Sequence, residues 1–223
     1  MEKITLITGA TAGIGRATAL RLAEEKHNLI ITGRREERLK TLKEEIELKH
    51  GVKVYYLCFD IRNKDEVFEA IESLPEEWKA IDILINNAGL AVGLGHIQDG
   101  LLDDWERMID SNVKGLLYIT RKVAPYLIEK GKGQIINVGS IAGRQVYENG
   151  NIYCATKHAV DALSKAMRID MLRENIKVTQ IAPGMAETEF SLVRFKGDKE
   201  KATNAYKDFA ALTGEDVANV IAF

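Results

Sequence analysis

The chain has 223 residues, 46% of them hydrophobic, enough for one well-buried domain. Its 31 basic and 33 acidic residues leave a formal charge of -2, a balance that points neither to nucleic acid nor to a membrane surface. The first apolar run is too short for a signal peptide, and no apolar stretch approaches the roughly 20 residues that span a bilayer. Cys58 and Cys154 make neither a disulfide framework nor a metal cluster, so buried or partly buried thiols in a reducing cytoplasm are expected.

Apolar, β-rich runs recur at 3–8, 28–32, 52–58, 81–86, 134–139 and 176–182. Charged segments of helical period lie between them at 16–26, 36–49, 64–73, about 102–130 and 153–173. Strand alternating with helix throughout predicts right-handed crossovers and a parallel sheet covered on both faces. With no Pro- or Ser-rich linker and no repeat, residues 1–223 read as a single doubly wound α/β domain.

The first strand runs into Thr8-Gly9-Ala10-Thr11-Ala12-Gly13-Ile14-Gly15. Glycines there permit backbone angles closed to other residues and let a ligand lie against the main chain. The helix that follows opens with free N–H groups and the positive end of its dipole, a site suited to phosphate. The spacing is G-x-x-x-G-x-G, not the commoner G-x-G-x-x-G, and a purely structural turn is the alternative.

The second strand ends in Thr32-Gly33-Arg34-Arg35. In dinucleotide folds an acid at this point binds the ribose 2′-hydroxyl of NAD, whereas arginine accommodates the 2′-phosphate of NADP. Arg34 and Arg35 therefore favour NADP; a solvated charge cluster continuing through Glu36, Glu37 and Arg38 is the other reading. The third strand finishes at Phe59-Asp60-Ile61, where Asp60 faces an adenine or caps the next helix. The fourth runs into Asn86-Asn87-Ala88-Gly89, small and polar enough for a flat ligand to approach, or else a turn whose asparagines bond their own main chain.

Ser140 closes the fifth strand, and Tyr153 and Lys157 then fall one turn apart on a helix. An ammonium beside a phenol lowers the phenol's pKa and readies it to exchange a proton with an alcohol or carbonyl. Ser140 is placed to hold the same oxygen. Tyr and Lys four apart also serve packing and solvent alone.

In this order, the glycine turn, Asn86–Gly89, Ser140 and Tyr153/Lys157 resemble the short-chain dehydrogenase/reductases of the classical type, from about Lys3 to the chain end. The resemblance implies a Rossmann domain, with NADP bound by Gly9, Thr11, Ala12, Gly13, Ile14, Gly15, Arg34, Arg35, Asp60, Ile61, Asn87, Ala88 and Gly89. It further implies a catalytic four of Asn112, Ser140, Tyr153 and Lys157. Tyr153 is then acid or base, Ser140 orients the substrate oxygen, and Lys157 tunes the tyrosine and holds the nicotinamide ribose. Asn112 anchors a proton-relaying water through its backbone. Pro183-Gly184-Met185-Ala186-Glu187-Thr188 matches the family's P-G-x-x-x-T, which places Pro183, Gly184, Met185 and Thr188 at the nicotinamide.

Three stretches, Ser73–Trp78, Asn86–Ala91 and Val193–Asp198, are similar to a narrower branch, the NADP-dependent 3-hydroxy acid dehydrogenases. That branch implies small substrates such as serine, allo-threonine or 3-hydroxypropionate, and hence a cation for the carboxylate. Arg144, Arg194 and Lys196 are the candidates, with Gln145 adding a polar contact and about 186–212 forming a mobile lid. Reduction of another carbonyl class (a 3-ketoacyl thioester or a diketone) is the alternative, and a non-catalytic NADP sensor a further one. The family also implies a homotetramer. Its members continue for about one more strand beyond Phe223, so the last edge strand is expected to be absent from this chain.

Overall fold

Six apolar runs become the strands of one parallel sheet: β1 (Ile4–Ile7), β2 (Asn28–Gly33), β3 (Val54–Cys58), β4 (Ile83–Asn86), β5 (Gly133–Val138) and β6 (Ile176–Ile181). Their order is β3-β2-β1-β4-β5-β6, every pair parallel, in a computed structural model that describes residues 2–207 and 210–223. Among these residues β6 pairs with β5 alone.

The strands read as nearly continuous apolar runs because both faces are covered. Alternate residues point to opposite layers. Leu6, Ile30, Leu84 and Ile135 face one core; Ile7, Ile31, Ile85 and Ile136 face the other. The first core is closed by α3 (Lys64–Glu72), α6 (Gly115–Glu129) and α7 (Asn151–Asp170). The second is closed by α1 (Gly13–Glu24), α2 (Glu36–His50) and α10 (Gly214–Ala222). Each such leucine or isoleucine contributes about 1.5–3 kcal/mol through burial.

The sequence pattern misses four features. Three short helices, α4 (Glu76–Lys79), α8 (Phe190–Arg194) and α9 (Lys199–Asn204), carry too few turns to show a period. The long helical segment at 102–130 is divided into α5 (Leu102–Ile109), a π-helical turn at Asp110–Lys114, and α6. Ser140 lies two residues beyond β5 rather than closing it. Cys154 is buried as expected, but Cys58 is exposed at the end of β3.

A buried polar chain fixes the carboxyl end of the sheet. Asn86 Nδ2 donates to Asn137 Oδ1 at 2.8 Å and to Thr120 Oγ1 at 2.9 Å, and Asn137 Nδ2 donates to Ser164 Oγ at 3.0 Å. The register sets Asn86 directly beside Asn137, so β4 and β5 are locked to α6 and α7 where the crevice opens. Connections leave β1 and β4 toward opposite sides of the sheet, the switch point at which such sheets bind ligands.

Candidate active site

A cavity of about 890 Å³ lies over the carboxyl ends of the strands, running from Arg34 and Arg35 to Tyr153 and Lys157. The glycine turn forms one wall. Gly9 (φ +69°) and Gly13 (φ +53°) hold left-handed angles, and a Cβ at Gly9 would meet Ala88 Cα at 2.9 Å. Ala12 begins α1 with no side-chain cap and no acid follows in the first turn, so backbone N–H groups and a positive dipole end remain for an anion. The turn is stitched to the end of β4: Thr8 Oγ1 accepts from the Asn87 and Ala88 N–H groups at 3.0 and 2.9 Å, and Asn87 Nδ2 donates to Thr8 O at 2.8 Å. Asn87 thus bonds a neighbouring strand's turn, not its own main chain.

Every residue expected at the cofactor lines the cavity except Gly15. A Cβ there would penetrate Asn87 Nδ2 and the Gly9 carbonyl. Gly15 therefore serves the close packing of the turn.

Arg35 donates from Nε and Nη2 to Thr11 Oγ1 at 3.0 and 2.8 Å, and from Nη1 to Glu189 at 2.8 Å. Arg38 reaches the same carboxylate at 2.7 Å. Arg34 Nη1 lies 3.6 Å from Asp60. Asp60 is held by Arg62, whose Nη2 donates at 2.6 Å; burial opposes its ionisation, but these hydrogen bonds prevail and keep the carboxyl below its usual range. Asn63, not Asp60, caps α3, accepting from the Asp65 and Glu66 N–H groups.

At the other end Tyr153 and Lys157 share one face of α7. Burial pushes the Tyr153 phenol up to about 12, with the Ser140 hydroxyl acting in the opposite direction. Burial pushes Lys157 down to about 8. The expectation that Lys157 lowers the phenol is not met here, because its Nζ donates to Val138 O at 3.0 Å and sits 5.9 Å from the ring centre. Loss of solvent dominates both groups. Ser140 Oγ accepts from the Ala142 N–H at 3.1 Å, which fixes the hydroxyl at the cavity wall.

Asn112 is placed differently from the other three. It does not line the cavity; it sits in the π-helical turn, accepts from Leu90 N and donates to Leu90 O, both at 2.8 Å, and donates to Thr156 Oγ1 at 3.0 Å. Its side chain therefore ties the strand β4 exit to α7.

Of the three cations weighed for a carboxylate, only Arg194 lines the cavity. Its guanidinium lies 5.2 Å from the Tyr147 ring centre and 5.7 Å from that of Tyr153. Arg144 is exposed and outside the lining, and Lys196 is engaged by Asp104 at 2.7 Å. Gln145, Ile61, Pro183, Gly184, Met185 and Thr188 all line the space as expected. Thr188 Oγ1 accepts from the Phe190 N–H at 3.2 Å, and its side chain lies against Gly13.

Among the lining residues not found from the sequence are Tyr147, Glu189, Phe190 and Tyr206. Phe190 meets Tyr153 edge to face at 5.6 Å, and Tyr206 donates to Ala186 O at 3.0 Å. Glu189 directly follows the P-G-x-x-x-T stretch, the one local signal available; the others carry none. The segment expected to be a lid, 186–212, contains α8 and α9, and its residues 208–209 lie outside the described residues.

Comparison with known proteins places this geometry. The chain is 48% identical over 219 residues to the NADP-dependent 3-hydroxy acid dehydrogenase of Salmonella typhi, spanning 98% of this chain and 87% of the relative. It is 46% identical over 222 residues to sulfoacetaldehyde reductase 2 of Chromohalobacter salexigens, covering 99% and 87%. Among solved structures, the closed form of a serine dehydrogenase complexed with NADP+ superposes with a TM-score of 0.93 at 47% identity, covering 98% of this chain and 87% of that one. Residues 3–198 match the short chain dehydrogenases. Glycine turn, strand order, and the serine, tyrosine and lysine at one cavity end thus have a single explanation: the chain belongs to the short chain dehydrogenase family.

Proposed function

We propose that this protein is an NADP-dependent oxidoreductase of small 3-hydroxy acids such as serine, allo-threonine or 3-hydroxypropionate, acting at the carbon that bears the 3-hydroxyl. Membership of the family makes it an oxidoreductase of CH–OH groups. The observation that carries the substrate class is Arg194, a guanidinium inside the cavity and beside the Tyr153 ring. A planar fork of donors at that distance suits a carboxylate one carbon removed from the reacting carbinol. It does not suit a neutral diketone.

The site fits the cofactor: uncapped N–H groups of α1 for the pyrophosphate, glycine backbone for close approach, and Arg34 and Arg35 for a 2′-phosphate. When bound, the nicotinamide supplies the hydride acceptor in oxidation and the donor in reduction. Ser140 Oγ donates a hydrogen bond to the substrate oxygen. Tyr153 Oη takes the hydroxyl proton in oxidation and returns it to the carbonyl oxygen in reduction. Lys157 holds the ribose hydroxyls and passes the proton onward, and Asn112 keeps α7 in register with the β4 exit. A lid at 186–212 and assembly as a cytoplasmic homotetramer belong to the same reading.

Arg194→Ala tests it. Turnover with NADP of serine, 3-hydroxybutyrate and 3-hydroxypropionate should show KM raised about 10- to 100-fold, the worth of a charge-assisted pair, while a neutral secondary alcohol is little affected. Equal effects on acids and alcohol would remove the carboxylate argument. Arg194 suits a sulfonate as well, the anion in the substrate name of the Chromohalobacter relative, so sulfoacetaldehyde with NADPH belongs in the same assay.

A further inference from the structure

Glu189 stands outside the chemistry just described, at the adenosine end of the crevice, and the residues that follow it reach the other end. Its carboxylate holds Arg35 Nη1 at 2.8 Å and Arg38 Nη1 at 2.7 Å, two guanidiniums at the adenosine end. The hydrogen bond from Arg35, opposed by modest burial and joined by that from Arg38, keeps the carboxyl below its usual range, so it is an anion throughout the neutral region. The next residue begins α8. That five-residue helix brings Phe190 into an edge-to-face contact with the Tyr153 ring and Arg194 over that ring. One short segment therefore spans from the arginines to the phenol. Of the other arginines nearby, Arg34 lies 3.6 Å from Asp60 and Arg16 is paired with Glu45 at 2.6 Å.

We propose that Glu189 is a displaceable counter-ion of the 2′-phosphate site, and that a phosphate binding Arg35 and Arg38 drives it off and frees the α8 segment. The inference rests on the reading that Arg34 and Arg35 receive the 2′-phosphate, and adds Arg38, which shares the Glu189 carboxylate with Arg35. A phosphate and a carboxylate cannot share the same few donors without like-charge repulsion. Arg35 turns Nε and Nη2 to Thr11 Oγ1, so Nη1 is the edge of its fork that Glu189 holds. Exchange of one charge-assisted pair for another leaves the overall balance small, which is what a switch requires. NAD, lacking the phosphate, leaves the strap fastened. Glu189 thereby makes Phe190 and Arg194 responsive to which cofactor is bound, and it sets cofactor discrimination without touching the reacting atoms.

The test uses two small probes that differ only in the phosphate, adenosine 2′,5′-bisphosphate and 5′-AMP, titrated calorimetrically into wild type and Glu189→Gln. The side chain is 42% exposed, so the amide is tolerated sterically. Glu189→Gln should bind the bisphosphate about tenfold tighter than wild type and 5′-AMP within about twofold. Amide exchange across residues 190–206 should quicken in wild type on adding bisphosphate; in Glu189→Gln it should be quick already and unchanged. If wild type binds both probes alike, the arginine reading itself fails. If wild type prefers the bisphosphate but Glu189→Gln alters neither affinity nor exchange, or alters both probes equally, that reading stands and the counter-ion role is overturned.

Discussion

Lys157→Met should make the protein more stable at neutral pH, although it destroys the proposed proton path. In the folded chain the lysine is buried, 7% exposed, and its ammonium donates to Val138 O. Burial lowers its pKa from 10.5 to about 8. At about 1.4 kcal/mol per unit, a shift of that size costs the folded state about 3 kcal/mol while lysine is charged. Methionine removes that cost but leaves the Val138 carbonyl unpaired, which returns about 1–2 kcal/mol. The net expectation is a gain of about 1–2 kcal/mol at pH 7.

The sign with pH follows from the depressed pKa of a base. Below about 8 both folded and unfolded lysine are charged and the full cost is present. Between there and 10.5 the unfolded chain holds the extra proton, so wild-type stability rises with pH and the variant's advantage shrinks. Urea unfolding of both proteins at about pH 7 and about pH 9.5 measures it. A variant less stable than wild type at the lower pH, or a difference that ignores pH, refutes the reasoning.

Gly15→Ala should lose about 1–3 kcal/mol, because the new methyl meets the Gly9 carbonyl, which is backbone and cannot swing aside; an unchanged urea midpoint would show that the turn yields. Oxidation should rise with pH: the phenol sits near 12, so the fraction of Tyr153 able to accept a proton grows about tenfold per pH unit below that, with a bend where Lys157 titrates near 8. Reduction, which needs the protonated phenol, should stay level over the same range. An oxidation rate that falls as pH rises above neutral would remove Tyr153 as the base.

Much of the fold was legible because it rests on local pattern. Runs such as Asn28–Gly33 and Gly133–Val138 are apolar at every position since both sheet faces are covered, and alternation with helical segments leaves few topologies. The glycine turn and the Tyr153–Lys157 spacing were legible for the same reason. Short α8 and α9 were not, and neither was the π-helical turn at Asn112, which periodicity reads as unbroken helix.

What the sequence determined by itself was therefore the α/β class, the strand order's parallel character and the residues that bring chemistry to the crevice. The tertiary structure decided among equals: Arg194 rather than Arg144 or Lys196 faces the cavity, Gly15 packs while Gly9 and Gly13 line, and Asn112 braces rather than faces the cavity. It also reversed the expected sign at Tyr153, since spacing places an ammonium near a phenol but says nothing of the water both lose. Neighbours along the chain are set by covalent geometry; partners 154 residues apart, such as Arg35 and Glu189, exist only once packing has folded distant parts of the chain together.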